Sequence, residues 1–598
     1  MDIDSIKSQV CKLPVYDYIN ILKLARKVSK QKTDLKDGKI KIAVLASDSQ
    51  QYFVMVLRLF LIKYEIEADI FEGEYDGIRN AVFDNQSGLR KYAPDIVIIL
   101  SNYRDIHDMP EHLASEEEIE YFITHQLEYY QQIWKRLSET GRCHIFQANI
   151  VLPFERKIGN LEANVCCSRR IILQRINVEL IKRKPKNVTI VDMEYIAAFV
   201  GKQNWFDYTT YFTSKLEYSL QYIGLVCDVY AQQIAALQGK IKKCLVLDLD
   251  NTLWGGVVAD VGPEGIRIAP DDTLGEAFRY FQQYVLDLKE RGVLLAVISK
   301  NDDQIAREPF ELNENMILKY DDFSAFIANW ENKAFNIDII AQKLNIGTDS
   351  FVFFDDNPAE REIVRMYHPE VMVIDVPENV ADYVSALESA HPFEWLSLTE
   401  DDLIRVNSYK SNNARNELCI QYKNYQDYLL ALDMKGRVAY LTRKDIERFT
   451  QLINKTNQFN VRTRRYLEAD IENMLDDDQY KLLFATLEDR FGKFGMISCV
   501  ILKREEDQCF IDTWVMSCRV LKRDVEKFVW KKMIETADNW NCKWIVGEYI
   551  PTKKNALVKN LYCDLGFRKQ MKKNDDSIEY VYVVDSRRIE SVAIKESN

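Results

Sequence analysis

The sequence predicts an α/β protein of several domains, and three observations carry that expectation. The chain has 598 residues, several times the ~150 of a typical domain. Between residues 36 and 391, runs of β-branched and aromatic residues alternate with helix-length segments, the rhythm of parallel sheets. Hydrophobic residues make up 47% and charged residues 29%, enough apolar material for several packed cores, which excludes wholesale disorder.

Charge narrows the partners. Lys and Arg number 79 against 92 Asp and Glu, a net charge of -13. The average surface therefore repels phosphate backbones and anionic membranes, and neither nucleic acid nor membrane is expected as a partner. The most apolar run, FVMVLRLFLI (53–62), already contains Arg58 and is far short of a membrane span. The start, MDIDSIKSQV, is acidic and has no apolar leader core. Twelve cysteines are sparse for this length; Cys244, Cys499 and Cys542 sit singly in apolar runs, and the adjacent pair Cys166–Cys167 lacks zinc spacing. Reduced thiols in a cytoplasmic protein are expected.

In chain order, a helical segment (1–35) leads into a first α/β domain (36–239). Its strands are expected at IKIAVLASDS (40–49), ADIFEGEY (68–75), PDIVIILSN (94–102), CHIFQANIV (143–151) and NVTIVDME (187–194), with a helical pattern over 214–238. A second βα series (240–391) runs through KKCLVLDLD (242–250), GVLLAVIS (292–299), DSFVFFDD (349–356) and EVMVIDV (370–376). Residues 392–430 are polar and are expected to form a helical connector. The last part (431–598) mixes strands such as 481–490, 495–502 and 542–550 with amphipathic helices, the pattern of an α+β domain.

The second series carries the chemistry. LDLDNTLW (247–254) is an apolar strand that delivers Asp248 and Asp250 at its carboxyl end, where α/β sheets place their reaction crevice. Alternation along an extended chain would put both on one side. Two carboxylates there repel unless a cation joins them, and a hard ion such as Mg²⁺ prefers oxygen ligands and bridges to phosphate. The next strand ends in Ser299, a hydroxyl donor; Lys333 offers a positive charge; Asp355 and Asp356 end a further strand.

This order of residues resembles the haloacid dehalogenase phosphotransferase superfamily. The resemblance implies a Rossmann-like central domain in which Asp248 attacks phosphorus and Asp250 serves as acid and then base. It implies that Thr252 belongs to the same motif, that Ser299 and Lys333 stabilise phosphoryl oxygens, and that Mg²⁺ is held among Asp248, Asp250, Asp355 and Asp356. The gaps from Thr252 to the second strand and from Ser299 to Lys333 hold no cap domain. The cleft is expected to be open and to be completed by a neighbouring domain, a carrier or a large substrate.

LDLDNTLWGGVV (247–258), Ser299-Lys300-Asn301, NWENKA (329–334) and DDNPAERE (355–362) together resemble the FkbH-like family, branch IIIC of that superfamily. KTNQFNVRTRRY (455–466), DRFGKFGM (489–496), SCRVLKRDVE (517–526), IPTKKN (550–555) and WFDYTTYFTSKLEYS (205–219) are similar to its flanking regions. The resemblance implies dephosphorylation of a phosphorylated three-carbon acyl donor such as 1,3-bisphosphoglycerate, with the glyceryl unit passed through an enzyme thioester to an acyl carrier protein. Lys300, Asn301, Arg519 and Asn555 are the residues expected to meet substrate or carrier. Many members have a cysteine where this chain has Ile298, so the thioester would need another thiol: Cys518, with Cys244 expected in the core.

GEYIPTKKNALVKNLYCDLGF (547–567) resembles the end of the Gcn5-related N-acetyltransferase fold, in which an Arg-x-x-Gly-x-Gly turn cradles a coenzyme A pyrophosphate. Here that stretch has Lys522 and Asp524 in place of the glycines, which speaks against acetyl-coenzyme A but leaves room for a carrier's phosphopantetheine arm. Lys455, Arg462, Arg464 and Arg465 could meet an acidic carrier. The first α/β domain resembles flavodoxin-like or SGNH-hydrolase-like sheets. Ser47-Asp48-Ser49 stands at a nucleophile position and Asn102 at an oxyanion position, yet none of His107, His112, His125, His144, His368 and His391 lies near 205–212 to act as base. A scaffolding or carrier-binding role is expected there. The alternative reading of the whole chain is a carrier-binding assembly module with a vestigial phosphatase site.

Overall fold

The computed structural model describes residues 3–29, 39–111, 113–139, 143–398, 415, 418–419, 421–552, 554–572, 577–584 and 593–597. The chain forms two compact units, Met1–Ala235 and Ala236–Asn598. Residues 399–414, 416–417 and 420 of the expected connector, together with residues 30–35 and His112, lie outside the described residues; its C-terminal end runs into the helix Tyr425–Ala431. No helix among the described residues is long and apolar enough to cross a membrane.

Unit one is a parallel sheet of β1 (Ile40–Ala46), β2 (Ala68–Glu72), β3 (Ile96–Leu100), β4 (His144–Ala148) and β5 (Val188–Val191), in the order β2-β1-β3-β4-β5. That is the flavodoxin-like doubly wound order. Val97, Ile98 and Ile99 on β3 are fully buried, as a strand covered on both faces requires. The expected helical pattern over 214–238 resolves into loop, a short 3₁₀ turn and the helix Ile223–Leu237.

Unit two holds two sheets. The first is parallel: β6 (Cys244–Leu247), β7 (Leu294–Ser299), β8 (Ala325–Ala328), β9 (Phe351–Phe354) and β10 (Met372–Val373), ordered β10-β9-β6-β7-β8. Helices on both sides seal two apolar clusters, one around Trp254, Phe281 and Phe354 and one around Cys244, Ile298 and Phe353.

The second sheet is mixed: β11 (Lys435–Tyr440), β12 (Tyr480–Asp489), β13 (Gly492–Glu505), β14 (Gln508–Met516), β15 (Trp544–Tyr549), β16 (Arg568–Lys572), β17 (Ile578–Val583) and β18 (Lys595–Glu596), ordered β16-β17-β15-β14-β13-β12-β11-β18. β14 and β15 run parallel and pair only from Gln508–Trp544 to Ile511–Gly547. Beyond that, residues 459–461 fill the space. Val461 N donates to Trp514 O (3.4 Å), Met516 N to Phe459 O (3.2 Å) and Ile550 N to Val461 O (2.9 Å). The chain therefore satisfies the diverging strand edges itself.

The described hydrogen bonds and ion pairs between the two halves of unit two fall at the amino-terminal edge of the parallel sheet. Asn345 Nδ2 donates to Cys518 O (2.5 Å), Lys243 Nζ to Lys455 O (3.3 Å), and Lys554 pairs with Asp349. The carboxyl edge, where Asp248 emerges, points the other way.

Candidate active site

β6 ends at Leu247, and the next residue, Asp248, is tied to β9 by its N–H to Phe354 O (3.1 Å). β9 in turn delivers Asp355 and Asp356. Carboxylate oxygens of Asp248, Asp355 and Asp356 lie within 4.8 Å of one another. Lys333, the first residue of the helix Lys333–Leu344, reaches into this group: Nζ is 2.6 Å from Asp355 Oδ2 and 2.9 Å from Asp248 Oδ1. Asp355 is 0%, Lys333 3% and Asp248 7% exposed. Burial works against the lysine charge, but the two carboxylates overcome it and raise its pKa. Asp355 and Asp356 are both raised, first by burial and then by the Asp248 charge, so the group holds more negative charge than Lys333 balances.

The loop after β9 is braced from below. Arg361 Nη1 donates to Asp355 O and Asp356 O at 2.7 Å each, and Asn357 caps the helix Pro358–Tyr367. Thr252, fully buried, donates to Asp356 Oδ1 (3.4 Å) and accepts from Asp356 N (3.3 Å), so it orients that carboxylate. Arg361 lay within a recognisable motif, yet nothing in sequence marked its donation to two backbone carbonyls.

Asp250 departs from the expected arrangement. The strand stops before it, and Asn251 turns the chain with φ 56°. Its Oδ1 accepts from Trp254 Nε1 (2.9 Å) and Val258 N (3.0 Å), and Oδ2 from Asn301 Nδ2 (3.3 Å). Strand alternation does not apply beyond β6, and this carboxylate stands outside the metal-competent group. Burial, the largest influence, raises its pKa.

Ser299 closes β7 at 2% exposure, on the same edge. Lys300 pairs with Glu360 (2.5 Å), and buried Asn301 holds Asp250. Both act on neighbours of the acidic group. No cap interrupts the motifs: after Trp254, Gly255 and Arg267 form a single antiparallel bridge that pins a small flap, Val258–Gly265.

Other expected site residues lie elsewhere. Ile298 and Cys244 are fully buried core, and burial pushes the Cys244 thiol up. Cys518 packs against the far side of that core; its carbonyl bonds Asn345, which follows the 12-residue helix begun by Lys333. At 1.5 Å per residue this is ~18 Å from the cluster, so Cys518 cannot serve the same cleft as Asp248. Arg519 is 8% exposed and donates to Ser517 Oγ; Asn555 is fully buried and donates to Asn460 O and Ile550 O. Neither presents itself to a carrier.

Of the expected basic face, Arg462 is buried between Asp512 (3.2 Å) and Glu548 (2.7 Å), and Arg465 donates to Thr456 O (3.0 Å). Lys455 Nζ lies over the Trp395 ring, and Arg464 pairs with Asp512 (3.0 Å). These residues hold the domain together and do not form an open basic surface. Lys522 and Asp524 adopt φ 64° and 58°, the left-handed form that glycine favours, and Asp524 puts its own carboxylate at the start of the helix Val525–Asn539. The carboxylate makes no cap hydrogen bond to the helix and pairs with Lys527 (3.3 Å); its charge disfavours a second anion there.

Residues 41–234 match the family model described as FkbH, N-terminal domain. The crystal structure of the N-terminal part of protein BF1531 from Bacteroides fragilis, containing a phosphatase domain complexed with Mg, is 34% identical. It covers 64% of this chain and 99% of that one, with a TM-score of 0.58. The chain belongs to the family of BF1531. The Escherichia coli ribosomal-protein-S18-alanine N-acetyltransferase covers 25% of this chain and 94% of its own at 13% identity and TM-score 0.20. The GNAT domain of S. lividans PAT covers 25% and 90% at 15% identity and TM-score 0.21. No curated protein matches the chain.

Proposed function

We propose that the protein is a Mg²⁺-dependent phosphatase or phosphotransferase whose nucleophile is Asp248. The observation that carries this reading is the convergence of Asp248, Asp355 and Asp356 around Lys333 at the carboxyl edge of the sheet. The donor set fits the ion: all three ligand groups are carboxylate oxygens, which a hard divalent cation prefers, and Lys333 alone leaves them under-neutralised. Asp248, Asp355 and Asp356 would hold it, with the backbone carbonyl of Asp250. Mg²⁺, when bound, would draw charge from the phosphoryl oxygens and set Asp248 in line with phosphorus.

The chain's own groups do the rest. Asp248 Oδ attacks phosphorus as the bond to the leaving oxygen breaks, and Asp250, protonated, gives that oxygen its proton. The aspartyl-phosphate is then hydrolysed by water that Asp250 deprotonates. Lys333 and Ser299 stabilise the equatorial oxygens. Trp254, Val258 and Asn301 fix the Asp250 carboxylate for both proton transfers.

The substrate we propose is the acyl phosphate of a three-carbon acid, and the acceptor a phosphopantetheine thiol on an acyl carrier protein. The open, capless edge supports a bulky partner. With Ile298, Cys244 and Cys518 all misplaced for acyl transfer, the carrier's own thiol would attack the acyl carbon and expel the phosphate of the acyl phosphate, without an enzyme thioester, while Asp248 takes the donor's second phosphoryl group, a phosphate ester, so that the two steps break different bonds. Phosphate release from the phosphate ester of a three-carbon acid, measured with Mg²⁺, with EDTA and in Asp248→Asn, tests the phosphotransfer. Full activity in that variant overturns the assignment. Intact mass of a carrier incubated with the same mixture tests the acceptor.

A further inference from the structure

Unit one holds a cavity of its own, of about 40 Å³, a few times the room one water needs. It opens at the carboxyl ends of β1 and β3, where the strand order reverses, the position at which doubly wound sheets bind ligands. Asp48 and Ser49 follow β1, Ser101 and Asn102 follow β3, and Trp205 and Glu217 come from the segment before the last helix.

Its polar groups are incompletely matched. Glu217 is 8% exposed; Arg104 donates to its Oε2, while Oε1 has no hydrogen-bond partner. Trp205 is fully buried, and its Nε1 also has none. Asp48 and Asp105 add negative charge beside Glu217, and Arg104 is the cation that faces them. Burial first, then the Asp48 charge, pushes Glu217 well above the usual carboxylate range; burial, then Asp105, lifts Asp48 to about 7. Burial holds back the ionisation of Glu217 and Asp48, the two carboxyls that line the cavity, and a cation beside Glu217 Oε1 would let them ionise, which leaves a place for a second positive charge next to Arg104. The remaining lining is apolar, and Trp205 and Tyr218 stack on each other with ring centres 4.8 Å apart, an aromatic wall for an aliphatic body.

We propose that this cavity binds a small primary ammonium on a short aliphatic body, with Glu217 Oε1 and Asp48 accepting its N–H bonds. An anionic ligand is disfavoured by the same carboxylates, and a neutral alcohol would leave the charge unanswered. The site lies in unit one and is independent of the phosphotransfer reading.

Propylammonium chloride and 1-propanol, of nearly equal shape, separate charge from apolar contact. Saturation-transfer NMR on the full chain, with sodium chloride matching the ionic strength, should show contact to propylammonium well above that to 1-propanol. Glu217→Gln and Asp48→Asn should each weaken it roughly tenfold or more, and Asp248→Asn should bind as the unaltered chain does. Equal contact by the two probes, or none by propylammonium, overturns the proposal. So does unchanged propylammonium binding in Asp48→Asn, which decides the matter if Glu217→Gln does not fold.

Discussion

Lys333 Nζ stands between two buried carboxylates, 2.6 Å from Asp355 and 2.9 Å from Asp248. Removing the lysine leaves two uncompensated buried charges, which costs about 3 kcal/mol or more. Lys333→Met should therefore unfold at lower urea than the unaltered chain, and Mg²⁺ should restore part of the loss by supplying the missing charge. Its phosphate release should fall by about 10²–10³-fold. Urea titrations with and without Mg²⁺ check the first expectation, and initial rates check the second.

Mg²⁺ should stabilise unit two in proportion to its binding, because a ligand of the folded state alone raises stability by mass action. Asp356→Asn removes one of three converging carboxylates and should shrink the Mg²⁺-dependent rise in melting temperature. Thermal unfolding over a Mg²⁺ series checks this. An undiminished rise would remove Asp356 from the ligand set.

Asn301 touches Asp250 and not the acidic group, so it should act on proton transfer alone. Asn301→Ala is expected to lower kcat by roughly tenfold while leaving the Mg²⁺-induced thermal shift intact, the loss being that of one hydrogen bond to a charged group. Steady-state kinetics and calorimetry on the same preparation separate the two effects.

His144 in unit one is 8% exposed, and burial lowers its pKa from 6.5 to about 4. The unfolded chain therefore takes up the proton first as pH falls, so this residue destabilises the fold progressively from about pH 6.5 down to about 4, by up to about 3 kcal/mol. Above that window it contributes nothing to the pH dependence. His144→Phe should flatten the stability profile between those limits, as denaturant titrations at several pH values would show.

Gly239 has φ +71°, and a Cβ there would meet Asn454 O at 1.6 Å. Gly239→Ala must push the C-terminal domain off the amino-terminal edge of the phosphatase sheet. The catalytic edge is untouched, so phosphate release should persist while proteolysis of the chain accelerates. Timed digestion with parallel activity assays checks both halves.

The sheets were legible where strands are long and β-branched: IVIIL on β3 and LLAVIS on β7 could be little else. β8 escaped because its four residues, Ala-Phe-Ile-Ala, are too short and too rich in alanine to stand out from a helix. The acidic cluster was legible because each member closes a strand, a property of sequence order. Asp250 was not, because its direction depends on the left-handed Asn251 and on an indole five residues into a turn. Arg462 and Arg465 looked like a basic surface because sequence shows charge but not depth; the partners of Arg462, Asp512 and Glu548, lie on β14 and β15, and Arg465 is spent on the Thr456 carbonyl. Glu217 gave no signal at all, since its isolation arises only when the segment before the last helix folds over β1 and β3.

Residues 459–461 occupy the wedge between β14 and β15, and the result bears on how the molecule behaves in a crowded solution. Two diverging strand edges with unmet amides would recruit any extended peptide, including the same stretch of another copy. By lending its own loop to both edges, each molecule removes the invitation at this wedge.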